Sequence, residues 1–131
     1  MIGIVVVAHT PLASAVVNCA CHVLGDVPAL AVLDVDADVQ PEPAAKALAA
    51  RIAEVDSGNG VLVLTDIKGA TPSNIAHKAC EQARQAGVAC ELLAGLNAPM
   101  LLRALNYRQR TLAEVRECAL VGGAQGVIRV D

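Results

Sequence analysis

His9 and Asp66 are the residues best placed to do chemistry in this chain. Each ends an apolar run, and each leads into a Thr-Pro pair, Thr10-Pro11 directly and Thr71-Pro72 a few residues on. Thr is a good N-cap and Pro a favoured first helical residue, so each pair reads as a helix start. The imidazole is therefore expected over the beginning of one helix and the carboxylate just ahead of another. Unpaired N–H groups and the positive end of a helix dipole gather at such places and suit an anion. A carboxylate beside an imidazole fixes its tautomer and raises its basicity. A histidine so held, where negative charge is welcome, is suited to take a phosphoryl group as a covalent nucleophile. On these residues alone, a histidine that merely ends a strand remains the open alternative.

The neighbours add detail. Gly69, inside Asp66-Ile67-Lys68-Gly69-Ala70-Thr71-Pro72, allows a tight backbone turn. Lys68 could hold a phosphoryl oxygen or meet an acidic partner, although a loop lysine is most simply solvated. Asn97, two residues before Pro99, reads as a cap or turn lining the cleft. Neither GxxxxGK[ST] nor GxGxxG occurs, so no nucleotide or dinucleotide cofactor is expected. Asp34 and Asp36 could suggest Mg²⁺ but read better as solvated loop acids, so no metal is expected. His22 and His77 fall within helices as surface or packing residues. Arg103, Arg108 and Arg110 form a basic cluster beside Tyr107, read as a solvated helix end.

The elements that must position these groups alternate along the chain. Apolar runs at Ile2–Ala8, Ala29–Leu33, Val61–Leu64 and Val88–Ala94 read as buried strands. Pro11–Leu24, Pro41–Val55, Pro72–Gln85, Asn97–Asn106 and Thr111–Leu120 read as helices, Asp56–Gly60 as a turn, and Val127–Val130 as a short final strand. Such alternation implies βαβ units with parallel strands. The expectation is an α/β protein: a three-layer α/β/α sandwich over residues 1–131 as one domain, with order 2-1-3-4 and a possible fifth strand. In an open parallel sheet, ligands bind beyond the carboxyl ends of the strands, where the winding reverses. With this order, the reversal places His9 and Asp66 on either side of one crevice.

Composition narrows the function classes. Of 131 residues, 55% are hydrophobic but only 1% aromatic, with no Phe or Trp and a single Tyr, which removes stacking platforms for bases or sugars. A net charge of -3 argues against nucleic acid as a partner. Mean hydropathy is +0.52, yet no apolar run approaches the roughly 20 residues of a spanning helix. The first apolar run lacks a basic start, so no signal peptide is expected and the protein is placed in the cytoplasm. Five cysteines, an odd number without CxxC, signal neither a disulfide framework nor a zinc site, and read as small buried thiols.

Three segments, in order, carry a resemblance that covers essentially the whole chain. Ile2-Gly3-Ile4-Val5-Val6-Val7-Ala8-His9, Thr65-Asp66-Ile67-Lys68-Gly69-Ala70-Thr71-Pro72-Ser73-Asn74 and Gly95-Leu96-Asn97-Ala98-Pro99-Met100-Leu101 are similar to the first strand, the TDLFGG[ST]PFN segment and the GxNLPML segment of one family. The chain resembles the mannose-type enzyme IIA domain of the phosphoenolpyruvate-dependent sugar phosphotransferase system. The resemblance implies that His9 accepts a phosphoryl group from the phosphohistidine of HPr and passes it to a IIB component. It implies that Asp66 orients or charges the histidine. It also implies a homodimer in which the Val127–Val130 strand is exchanged, and association with a membrane permease without membrane insertion.

The sequence departs from the family at three places around the histidine. Thr10 stands where Gly is usual, and Lys68 and Ser73 stand where Phe is usual, so partner contacts are expected to differ. With nothing after Asp131, a stand-alone IIA is expected. Two other readings remain beside a sugar-transporting phosphocarrier: a regulatory IIA-like module whose phosphorylation state gates a partner, and the phosphocarrier subunit of dihydroxyacetone kinase.

Overall fold

The computed structural model describes Met1–Asp131. Four strands and five helices follow in the order β1 (Gly3–His9), α1 (Leu12–Leu24), β2 (Leu30–Val35), α2 (Pro41–Val55), β3 (Val61–Thr65), α3 (Thr71–Gln85), β4 (Cys90–Leu93), α4 (Ala98–Asn106) and α5 (Leu112–Gln125). The strands form one parallel sheet in the order β2-β1-β3-β4, as the alternation predicts.

The period-two alternation of a strand sorts the valines of β1 between two layers. Ile4, Val6 and Ala8 point into one core with Leu62 and Leu64 of β3, covered by α1, α4 and α5. Val5 and Val7 point into the other with Val61 and Val63, covered by α2 and α3. Both central strands are thus covered on both faces, which explains why they read as unbroken apolar runs. The filling is aliphatic: Ala13, Val16 and Ala20 from α1 on one side, Leu48 and Ile52 from α2 and Ile75 and Ala79 from α3 on the other. Small alanines let the helices lie close to the sheet without aromatic spacers.

Several sequence expectations are corrected. No fifth strand forms: Val127–Val130 lies outside the sheet, with Val127 and Val130 81% and 93% exposed. The last helix runs past Leu120 to Gln125 through Gly122 and Gly123. These glycines mark close approach rather than a break. A Cβ at Gly122 would come within 2.6 Å of Arg103 Cβ, and one at Gly123 within 2.9 Å of Met100 Cε.

Arg108 is not on a solvated helix end. It is 5% exposed and donates to three carbonyls: from Nε to Ile2 at 3.0 Å, from Nη1 to Pro28 at 2.6 Å and from Nη2 to Ala29 at 2.7 Å. It joins the chain's first residues to the segment entering β2, and the guanidinium fork suits such multiple donation. Arg110 instead stacks on Tyr107, 4.6 Å from the ring centroid.

Asp34 and Asp36 are not merely solvated acids either. Asp34 lies within β2 and accepts from the Ser14 backbone N–H at 3.0 Å and from the Ser14 hydroxyl. Asp36 accepts from the Thr10 hydroxyl at 2.6 Å.

Candidate functional site

The carboxyl ends of β1 and β3 bring His9 and Asp66 together. Their strands are adjacent and in register, Val7 opposite Thr65, so the residues just beyond meet at the same edge. Asp66 Oδ2 lies 2.7 Å from His9 Nδ1 and accepts the His9 backbone N–H at 3.1 Å. Its Oδ1 accepts the Ile67 N–H at 2.9 Å. The Asp66 backbone carbonyl takes the Gly95 N–H at 2.8 Å, and that of Thr65 the Leu96 N–H at 3.0 Å, so the β4–α4 turn braces this strand end.

The Asp66 side chain is 6% exposed and that of His9 48%. Burial alone would raise the Asp66 carboxyl pKa. The hydrogen bonds from the His9 ring, the His9 backbone and the Ile67 backbone outweigh it and hold the group below its usual range. Asp66 is therefore a carboxylate at neutral pH and can only accept. The proton of a neutral His9 ring must then sit on Nδ1, leaving the Nε2 lone pair free.

The anion-friendly helix start is α3 more than α1. In α1 the N-cap position is occupied by Pro11, without a side-chain cap, and the Ser14 N–H is already taken by the Asp34 carboxylate. Thr10 does not cap the helix, since its hydroxyl is turned to Asp36, an acceptor 26 residues away that local rules cannot see. In α3, Ala70 occupies the N-cap position without a side-chain cap, and the Thr71 and Ser73 N–H groups have no hydrogen-bond partner. The Thr71 side chain likewise caps nothing. This start follows Asp66 through a loop that turns at Gly69, where φ is +85°, as the sequence requires of glycine there.

Lys68 is exposed on that loop and makes no ion pair. A cavity of about 370 Å³ opens beside it, between Lys68, Gly69, the Ser73–Asn74 start of α3 and Ala94. Neither His9 nor Asp66 lines the principal cavities; the imidazole stands on the open sheet edge. Asn97 is a cap: its Oδ1 accepts the Met100 N–H at 2.9 Å, and its Nδ2 donates to Gly123 at 3.0 Å. One end of that amide caps α4 and the other ties its start to α5. His22 lies in the last turn of α1, and His77 pairs with Glu81 at 3.0 Å. No three His, Cys, Asp or Glu side chains gather in a way that could hold a metal ion. No helix is long and apolar enough to cross a membrane.

Sequence reasoning missed Asp34 and Asp36 as the anchors of the segment after His9. The signal available was weak: two acids after a strand adjacent to the histidine's own.

The sequence profile of a family described as EIIA-man, PTS system fructose IIA component, matches residues 3–119. Among solved structures, the phosphotransferase system component EIIA from Streptococcus agalactiae superposes with a TM-score of 0.87 at 21% identity, covering 98% of this chain and 97% of that one. The mannose/sorbose specific IIA subunit of the phosphotransferase system from Enterococcus faecalis gives 0.84 at 25% identity, over 99% and 95%. The PTS IIA protein associated with the fucose utilization operon from Streptococcus pneumoniae gives 0.78 at 22% identity, over 98% and 92%. No curated protein matches significantly.

Proposed function

The chain belongs to the EIIA-man family of phosphotransferase-system IIA components, and from that premise we propose that it carries a phosphoryl group on Nε2 of His9. The donor is the phosphohistidine of HPr and the acceptor a IIB component, both in the cytoplasm. The observation that carries this reading is the 2.7 Å contact of His9 Nδ1 with a nearly buried Asp66 carboxylate. It leaves Nε2 as the nucleophile.

In the forward step the Nε2 lone pair forms a bond to phosphorus while the bond from phosphorus to the donor histidine's nitrogen breaks. His9 keeps its Nδ1 proton and becomes a phosphorylated imidazolium, and Asp66 stabilises the cation. The reverse displacement by the IIB nucleophile restores the neutral ring. Catalysis is positioning and electrostatics. The unpaired Thr71 and Ser73 N–H groups are the donors for the phosphoryl oxygens, and Lys68 is the cation on the rim. Thr10 acts at one remove, holding the histidine's segment to Asp36. Gly69 shapes the loop, and Asn97 fixes the turn that braces Asp66. An imidazole on an open edge suits a group handed between proteins rather than a small substrate enclosed in a pocket.

The apolar, exposed Val127–Val130 segment supports a homodimer in which it adds to the partner's sheet. Incubation with phosphoenolpyruvate, enzyme I and HPr tests the function: one acid-labile phosphoryl group per chain supports it, and equal uptake by His9→Ala contradicts it.

A further inference from the structure

Cys80 and Cys90 are the two fully internal cysteines, at 0% and 5% exposure, and their sulfurs share a hydrogen bond at 3.0 Å. Cys80 lies on the buried stripe of α3 with Ile75, Ala76, Ala79 and Ala83, and Cys90 opens β4 opposite Val61. The alanine methyls on either side let the helix approach the sheet closely enough for the thiols to meet. A further approach of about 1 Å reaches covalent S–S separation. The other three cysteines are each at least partly accessible, on α1 and α5.

The environment distinguishes the two thiols. The hydrogen bond with Cys80 and the nearby Arg84 guanidinium hold the Cys90 thiol below its usual range, against the effect of burial. The same hydrogen bond, with burial, pushes Cys80 up. Arg84 is fixed there by its Nε, which donates to the Cys90 carbonyl at 2.9 Å. Cys90, the less buried of the two and the one whose main chain Arg84 holds, is the attacking sulfur and Cys80 the resolving one.

We propose that Cys80 and Cys90 form a reversible dithiol–disulfide site, closed by a hydroperoxide and reopened by a small thiol, that fastens α3 to β4. The Cys90 sulfur attacks a peroxide oxygen, the O–O bond breaks, and a sulfenic acid and one water result for hydrogen peroxide. The Cys80 sulfur then displaces the sulfenic oxygen, which leaves with the two remaining protons as a second water. Two thiols are oxidised and one peroxide is reduced. The bond closes a loop of about ten residues and constrains the unfolded chain. It lies at the opposite end of β4 from the edge that carries His9 and Asp66, so it acts on stability and not on the histidine.

The full chain with Cys19, Cys21 and Cys118 changed to Ser is the test. Hydrogen peroxide should take its free thiols, titrated in denaturant, from two to none. The intact mass should fall by two hydrogens, and dithiothreitol should reverse both changes. The thermal midpoint of the oxidised form should rise by several degrees. Thiols that stay unreacted, or a gain of oxygen without loss of both, overturn the proposal. The unaltered chain gives an independent reading by peptide mapping: a Cys80–Cys90 linkage supports the site, and linkage of other cysteines in its place overturns it.

Discussion

His9 Nδ1 and Asp66 Oδ2 lie 2.7 Å apart although 57 residues separate them in the chain. The same oxygen also accepts the His9 backbone N–H, so one carboxylate fixes both the ring and the main chain that carries it. The Asp66→Asn variant keeps the shape but loses the charge. It should slow phosphoryl transfer about 10- to 100-fold, the usual cost of removing a partner that orients a functional histidine. Rapid-quench transfer from phospho-HPr measures it; an unchanged rate removes Asp66 from the mechanism.

The same carboxylate makes stability depend on pH in a definite direction. Its pKa is lower folded than unfolded, so its contribution is fully present above the unfolded value and disappears as pH falls through the folded value. Below about pH 4, urea midpoints of the parent should fall toward those of Asp66→Asn. Parallel curves for the two proteins across that window would contradict the assignment.

Asp34 caps α1 from a neighbouring strand. Asp34→Ala should cost about 1–2 kcal/mol, since it removes a carboxylate acceptor at the third N–H of the helix. On that background Ser14→Ala should cost almost nothing more, because the Ser14 hydroxyl has already lost its acceptor. Additive losses in denaturant melts would show the two residues to be independent.

Arg108→Ala removes a donor shared by three carbonyls, leaving that of Ala29 with only the Ile4 N–H. A loss of about 2–4 kcal/mol is expected in urea unfolding. Arg108→Lys should recover only part of it, because a single ammonium cannot reproduce the fork. Full recovery by Lys would mean that charge, not geometry, matters there.

The exposed valines and isoleucine of the C-terminal segment predict association. Light scattering should find the full chain as a dimer, and a chain ending at Gly126 as a folded monomer. A dimer that survives truncation would place the interface elsewhere.

The sheet and the His9–Asp66 meeting were legible because they rest on period and topology. Unbroken valine runs demand a strand covered on both faces, and parallel order 2-1-3-4 puts the ends of β1 and β3 side by side. Asn97 reads as a cap and is one, accepting the N–H three residues on. What escaped the sequence depends on distant partners. Thr10 looks like a cap but finds Asp36, 26 residues away. Arg108 looks solvated but meets carbonyls of Ile2, Pro28 and Ala29, 79 or more residues earlier. The last helix reads as stopping at Leu120 but continues through Gly122-Gly123, where α5 approaches α4 closely. Local propensity describes what a segment prefers alone, and these residues answer to neighbours that only the folded chain supplies.

The position of the phosphoryl group on the ring is the most direct test of the account. The chain, labelled with ¹⁵N in histidine and phosphorylated through HPr, can be read by ¹⁵N–³¹P NMR. Coupling of phosphorus to Nε2 of His9, with Nδ1 still protonated and hydrogen-bonded, is the predicted result. Phosphorus on Nδ1, or on any residue other than His9, would contradict it.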